Sequence, residues 1–168
     1  SVQFSTPETI TKIGELAFFG NAFEELDLSK CVSLEEVEYC AFAMYDNVTD
    51  SDVVYSHDFW EPGGSLESVI LPSALSTEKS LYFNSGIFAG QRKLDTMKTS
   101  NQGEEGQIYI PDYMVETGQG LFVDTAVSKV VWQADTTGVN QWTNIPVLMF
   151  GGCVNIENAT DVLPTGTY

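Results

Sequence analysis

Basic residues are scarce in this chain: seven Lys and Arg stand against 24 Asp and Glu, a formal charge of −17. A field of that sign repels nucleic-acid phosphates and anionic headgroups, so it argues against both as partners and favours cationic or neutral ones. Histidine is limited to His57, and cysteine to Cys31, Cys40 and Cys153. An odd cysteine count without a C-x-x-C pair gives no disulfide framework, and a single histidine leaves a zinc site short of ligands. No apolar run reaches the roughly 18 residues that a membrane-spanning helix needs. Ser1 is not followed by a basic stretch and an apolar run. Either a targeting segment has been removed or the chain is part of a longer protein. Also missing are G-x-S-x-G, a phosphate-binding loop, a dinucleotide fingerprint and H-E-x-x-H, so no enzyme and no cofactor are expected. Paired carboxylates abound, but nothing singles out two of them as a glycosidase pair.

What is present is a globular composition. Hydrophobic residues make up 43% of 168 residues, enough for one domain with a core that needs neither metal nor disulfide. Within it a pattern recurs. F-E-E-L-D-L runs from Phe23 to Leu28, L-E-S-V-I-L from Leu66 to Leu71, and V-S-K-V-V-W from Val127 to Trp132. Apolar residues hold the first, fourth and sixth places of all three, and the last two, spaced two apart, suit a short strand with one face buried. L-E-E-V at Leu34 to Val37 and L-D-T-M at Leu94 to Met97 are partial copies. A second element accompanies the first: I-G-E-L-A-F from Ile13 matches V-E-Y-C-A-F from Val37, displaced by 24 residues, with a looser F-N-S-G-I-F from Phe83. A unit of that length cannot bury its apolar edge alone, so the units are expected to stack and share one core.

The passages I-T-K-I-G-E-L-A-F, L-D-L-S-K-C-V-S-L-E-E-V and L-E-S-V-I-L-P-S-A-L resemble the bacterial leucine-rich repeats of the BspA type, also called the Treponema type. The resemblance covers about residues 4–98, and I-Y-I-P-D from Ile108 resembles the segment that closes such proteins in Bacteroides-like bacteria. It implies a repeat solenoid: a right-handed leucine-rich-repeat superhelix, strand-rich, with short helical or 3-10 turns and an irregular C-terminal closing segment. Residues 1–168 form a single domain in this reading, with an insertion at 43–65 and less regular units and a cap over 99–168. The family further implies a non-catalytic binding or adhesion module, outer-membrane-anchored or secreted, whose ligand is a host or matrix protein. A carbohydrate-binding module of a cell-surface glycan system and a structural spacer are the alternatives.

In such a scaffold the strand residues between the apolar ones face outward. The repeat alignment then makes one column of Asp27, Ile70, Lys98 and Val131 and a neighbouring one of Glu25, Ser68, Thr96 and Lys129. The surface runs from acidic at the first unit to mixed or basic later. The insertion adds Phe59 and Trp60, aromatic anchors of the kind enriched at binding hot spots. It also carries Asp46, Asn47, Asp50 and Asp52, hard oxygen donors for calcium, although the spacing is not that of an EF-hand. Trp60, Trp132 and Trp142 are candidates for a sugar-stacking platform, and Asn47 and Asn158 begin glycosylation sequons. Cys31 falls where the family places an inward Cys or Asn. Ala74 occupies the matching place in the third unit, so no polar ladder is expected at that bend. Cys40 is expected to be a small core residue.

Overall fold

The computed structural model describes residues 1–44, 63–76, 80–133, 146, 148–153 and 156. In chain order the strands are β1 (Lys12–Ile13), β2 (Glu25–Asp27), β3 (Glu36–Val37), β4 (Ser68–Leu71), β5 (Tyr82–Phe83), β6 (Thr96–Thr99), β7 (Ile108–Ile110) and β8 (Val130–Trp132). They form two parallel sheets, one in the order β1-β3-β5 and the other β2-β4-β6-β7-β8. Up to β6 the chain visits the two sheets alternately. The register places Lys12 beside Glu36 and Glu36 beside Tyr82 in the first sheet, and Leu26 beside Val69 and Val69 beside Met97 in the second. Those alternating apolar places, Leu26, Val69, Met97 and Ile108, are fully buried, as their spacing of two from Leu28 and Leu71 requires.

This architecture corrects the expected right-handed leucine-rich-repeat superhelix. The described residues show two separate parallel sheets of three and five strands, and no closed solenoid. Among the described residues the expected helical or 3-10 turns between strands are replaced by tight turns, and the 3-10 turn seen there, Pro7–Thr9, precedes β1. The physical reason lies in the second repeated element. Leu16, Cys40, Gly86, Gly120 and Leu148 all have positive φ, between 50° and 67°, and Gly20, Gly90, Asp124 and Gly152 follow four residues after their counterparts at 52° to 79°. Left-handed residues at that spacing rule out a helical turn.

The turns stack on one another. N–H groups of Leu16, Phe18 and Gly20 donate to the carbonyls of Tyr39, Ala41 and Ala43; those of Cys40, Phe42 and Met44 donate to Ser85, Ile87 and Ala89. Gly86, Phe88 and Gly90 continue to Gln119, Leu121 and Val123, and Phe122 and Asp124 to Met149 and Gly151. Each unit thus holds its non-glycine residues in a conformation that costs about 1–3 kcal/mol apiece in isolation. The phenylalanine of each turn joins a column: Phe18, Phe42, Phe88, Phe122 and Phe150 lie 5.2, 6.1, 5.7 and 5.7 Å apart in succession, with interplanar angles of 18° or less. Phe4 and Phe23 meet Phe18 edge-on at the first unit.

Three residues after four of these phenylalanines stands a polar side chain that bonds a phenylalanine carbonyl. Asn21 Nδ2 donates to Phe18 and Phe42, Gln91 Nε2 to Phe42 at 2.7 Å, Thr125 Oγ1 to Phe122, and the Cys153 thiol also to Phe122. A polar column therefore exists, at a different bend from the one where Cys31 lies. Gln91 is fully buried and its Oε1 also accepts the Leu66 N–H, so one side chain ties the two ends of the chain that flank the insertion. Gly64 is required beside it, since a Cβ there would stand 1.8 Å from Gln91 Oε1.

Candidate binding face

The second sheet presents the columns read from the sequence. Glu25 pairs with Ser68 and Ser68 with Thr96; Asp27 pairs with Ile70 and Ile70 with Lys98. Glu25 and Asp27 are exposed, and Ser68, Ile70 and Lys98 are half-buried. Asp27 Oδ1 also accepts the Ser29 N–H at 2.9 Å, which fixes the carboxylate at the end of its strand.

Beyond β6 the expected columns need correcting. The alignment set Val131 and Lys129 directly after Lys98 and Thr96, but β7 lies between them: Met97 pairs with Ile108, and Tyr109 with Val131. Lys129 remains exposed, with its carbonyl accepting the Ile108 N–H. Thr96, expected on the open surface, is 1% exposed. The cause is the segment 100–107, which folds back over β6 and β7 as a strap. Thr96 Oγ1 accepts the Gly106 N–H at 2.9 Å and donates to Asp95 Oδ1 at 2.7 Å. The Lys98 ammonium pairs with Glu105, and the Tyr109 hydroxyl donates to Gln102 Oε1 at 2.8 Å. Beside the strap a shallow depression is lined by Glu67, Ser68, Lys93, Asp95, Thr96, Glu105 and Gly106.

No family model, curated protein or solved structure matches the chain. Its chemistry has to be judged from the arrangement itself. Among the described residues, no group of three or more His, Cys, Asp or Glu side chains is placed to hold a metal ion. The calcium candidates Asp46, Asp50 and Asp52 lie outside the described residues, as do Phe59, Trp60, Trp142, His57, Asn47 and Asn158. Trp132 is half-buried and packs against the core.

Two of the thiols, Cys31 and Cys153, are held in the protonated form. Burial, then the charges of Asp27 and Glu8, push Cys31 up to about 11, and burial also raises Cys153. Cys40 is fully buried within a turn. A thiol that stays protonated at neutral pH is a poor nucleophile and a poor metal ligand. On the first sheet Lys12 bridges Glu36 at 3.2 Å and Glu38 at 2.5 Å. Its hydrogen bonds to Glu38 and then Glu36 raise the ammonium, and the same contact lowers the Glu38 carboxyl. All three side chains are substantially exposed, so this cluster orders a surface and adds little stability.

The strap and Tyr109 were not visible as parts of the face beforehand. S-N-Q-G-E-E-G-Q reads as an ordinary exposed loop, and Tyr109 as a residue of a closing segment. The available signal was the shortness of the link from Thr99 to Ile108, eight residues, which leaves no room for a visit to the first sheet.

Proposed function

We propose that this chain is a non-catalytic binding module of a bacterial cell-surface or secreted protein, and that it takes a protein ligand on the outward face of β2 and β4. The observation that carries the reading is the side-by-side register of Glu25 with Ser68 and Asp27 with Ile70. It sets two exposed acidic groups beside one apolar and one hydroxyl side chain, both half-buried, on adjacent strands. Rigid strands hold that pattern in place, and an apolar centre with a polar rim is what a protein interface uses. The excess of acid selects neutral or basic partner surfaces and speeds their encounter. The bacterial and cell-surface parts of the proposal rest on the sequence resemblance alone.

The test is a binding screen of the immobilised chain against host and matrix proteins, repeated with Ile70→Asp and Asp27→Arg. A ligand of this face loses at least about tenfold in affinity with either variant. Lys12→Met, on the other sheet, leaves its affinity unchanged. A ligand that binds all variants equally sinks the assignment of this face, and selective retention on a glycan array replaces a protein ligand by a carbohydrate.

A further inference from the structure

The strap deserves a chemical reading of its own, because every group it offers to the sheet is one that a foreign peptide also carries. Residues 100–107 include no large apolar side chain, and those at 100–105 are exposed. Nothing hydrophobic anchors the segment. Its hold is polar throughout: a side-chain amide on the Tyr109 hydroxyl, a carboxylate on the Lys98 ammonium, and a backbone N–H on Thr96 Oγ1. Thr99 adds two more contacts, its Oγ1 accepting the Gln102 N–H at 3.0 Å and its own N–H donating to the Gln102 carbonyl at 2.9 Å.

Glycines set how closely the strap approaches. Gly103 and Gly106 have φ of 91° and 76°, conformations that side chains rarely adopt. A Cβ on Gly103 would come within 2.8 Å of Lys98 Cβ and 2.9 Å of Tyr109 Cβ, so the backbone lies flat on the stems of those two residues. Beneath it Tyr109 keeps 7% of its surface and Thr96 1%. The covered patch thus presents a phenol, an ammonium and a hydroxyl in a row on the same sheet as Asp27 and Ile70.

We propose that the strap is a built-in surrogate ligand, and that the patch of Thr96, Lys98 and Tyr109 takes an extended peptide bearing an amide side chain, then a glycine, then a carboxylate two residues further on. The order copies Gln102, Gly103 and Glu105. An incoming peptide replaces Gln102 on the Tyr109 hydroxyl and Glu105 on Lys98 while the strap swings clear on Gly103 and Gly106. Segments without apolar anchorage open locally while the rest of the molecule stays folded. This inference rests on the second sheet being the binding face, and it names both the ligand chemistry and the contact that withholds part of that face.

The probe is a capped synthetic peptide of residues 100–107, followed by heteronuclear NMR on the whole chain. In the Gln102→Ala/Glu105→Ala double variant the strap keeps its length but loses its two side-chain contacts. The peptide is expected to bind that variant and to shift the resonances of Lys98 and Tyr109. Wild type, whose tethered strap competes at an effective concentration of about millimolar, binds at least about tenfold more weakly. Adding Lys98→Ala to the double variant abolishes binding. No binding to the double variant at about 10 mM peptide, or equal binding to wild type, overturns the proposal.

Nitration gives a second readout in the unmodified chain. Tyr113 is half-buried, but its hydroxyl donates to the Pro72 carbonyl at 2.6 Å and burial of that hydroxyl suppresses its ionisation, so it reports a phenol held in the fold, whereas the half-buried Tyr82 reports access. Tyr109 is expected to react at least tenfold faster than Tyr113. A rate equal to that of Tyr113 makes the strap a permanent part of the fold and overturns its release. Slow nitration of Tyr113 in the double variant shows that the variant is folded. These outcomes are independent of Asp27→Arg, which lies two strands away from Lys98, so either proposal can fail without the other.

Discussion

At the scale of single residues, the side chain with most depending on it is Gln91. It is uncharged, fully buried and bonded at both ends of its amide, to the Phe42 carbonyl and the Leu66 N–H. Those two backbone groups flank the insertion, and of the two the Phe42 carbonyl also accepts from Asn21 of the neighbouring turn. Gln91→Leu fills a similar volume but leaves the Leu66 N–H without its acceptor, at about 1–3 kcal/mol, and leaves the Phe42 carbonyl only the longer bond from Asn21. Urea unfolding is expected to show a fall in stability of about 1–3 kcal/mol with an unchanged m-value. A loss below about 0.5 kcal/mol would mean that other groups satisfy those positions. Nothing in the sequence marks Gln91: a glutamine between Gly90 and Arg92 looks like surface. Its burial follows from three-dimensional placement, three residues after Phe88 and against the Phe42 carbonyl of the neighbouring unit.

At the scale of elements, the alternation in F-E-E-L-D-L and L-E-S-V-I-L was enough to place β2 and β4 and their register. Leu26, Leu28, Val69 and Leu71 are all buried, as that alternation demands. The turns were only half legible. A-F at Ala17–Phe18 and Ala41–Phe42 stands out, and I-F at Ile87–Phe88 is discernible, but L-F at Leu121–Phe122 and M-F at Met149–Phe150 share just one residue with it. Geometry preserves what composition does not: a small or apolar residue, then a ring, after one left-handed position and, in four of the five turns, before a second. The first sheet is not legible for a related reason. β1, β3 and β5 are two residues long each, too short to generate a periodic pattern. Within the ring column Phe88 is the central member, stacked on Phe42 and Phe122 and met edge-on by Phe83. Phe88→Ala is expected to cost about 3–5 kcal/mol, and Phe88→Leu less, because a cavity there is lined by other rings that cannot close in from fixed turns. Thermal unfolding followed by near-ultraviolet circular dichroism checks both; equal costs for the two variants would show that stacking geometry, not volume, dominates.

At the scale of the whole molecule, one sign of charge prevails. A formal −17 on 168 residues makes the compact state repel itself. Three of the described cations, Lys12, Lys93 and Lys98, are each already paired with a glutamate. Raising salt from about 0.01 to 0.3 M shortens the Debye length from about 30 Å to under 10 Å. The melting temperature is therefore expected to rise with salt, and a fall would mean that the surface ion pairs outweigh the general repulsion. The stacked turns add an electrical property that no count of side chains reveals. In peptides such as Tyr39–Cys40, Ala41–Phe42, Ile87–Phe88 and Leu121–Phe122 the carbonyl points back to the preceding unit and the N–H forward to the next. Peptide dipoles that add in this way leave partial negative charge at one end and positive charge at the other, as they do along a helix. Here the axis runs across the strands, from turn to turn. Its negative pole is the turn at 14–20, close in sequence to Glu24, Glu25 and Asp27 on the opening strand. The molecule is therefore a permanent dipole in a predominantly acidic envelope, and a cationic surface approaching it meets a torque as well as an attraction.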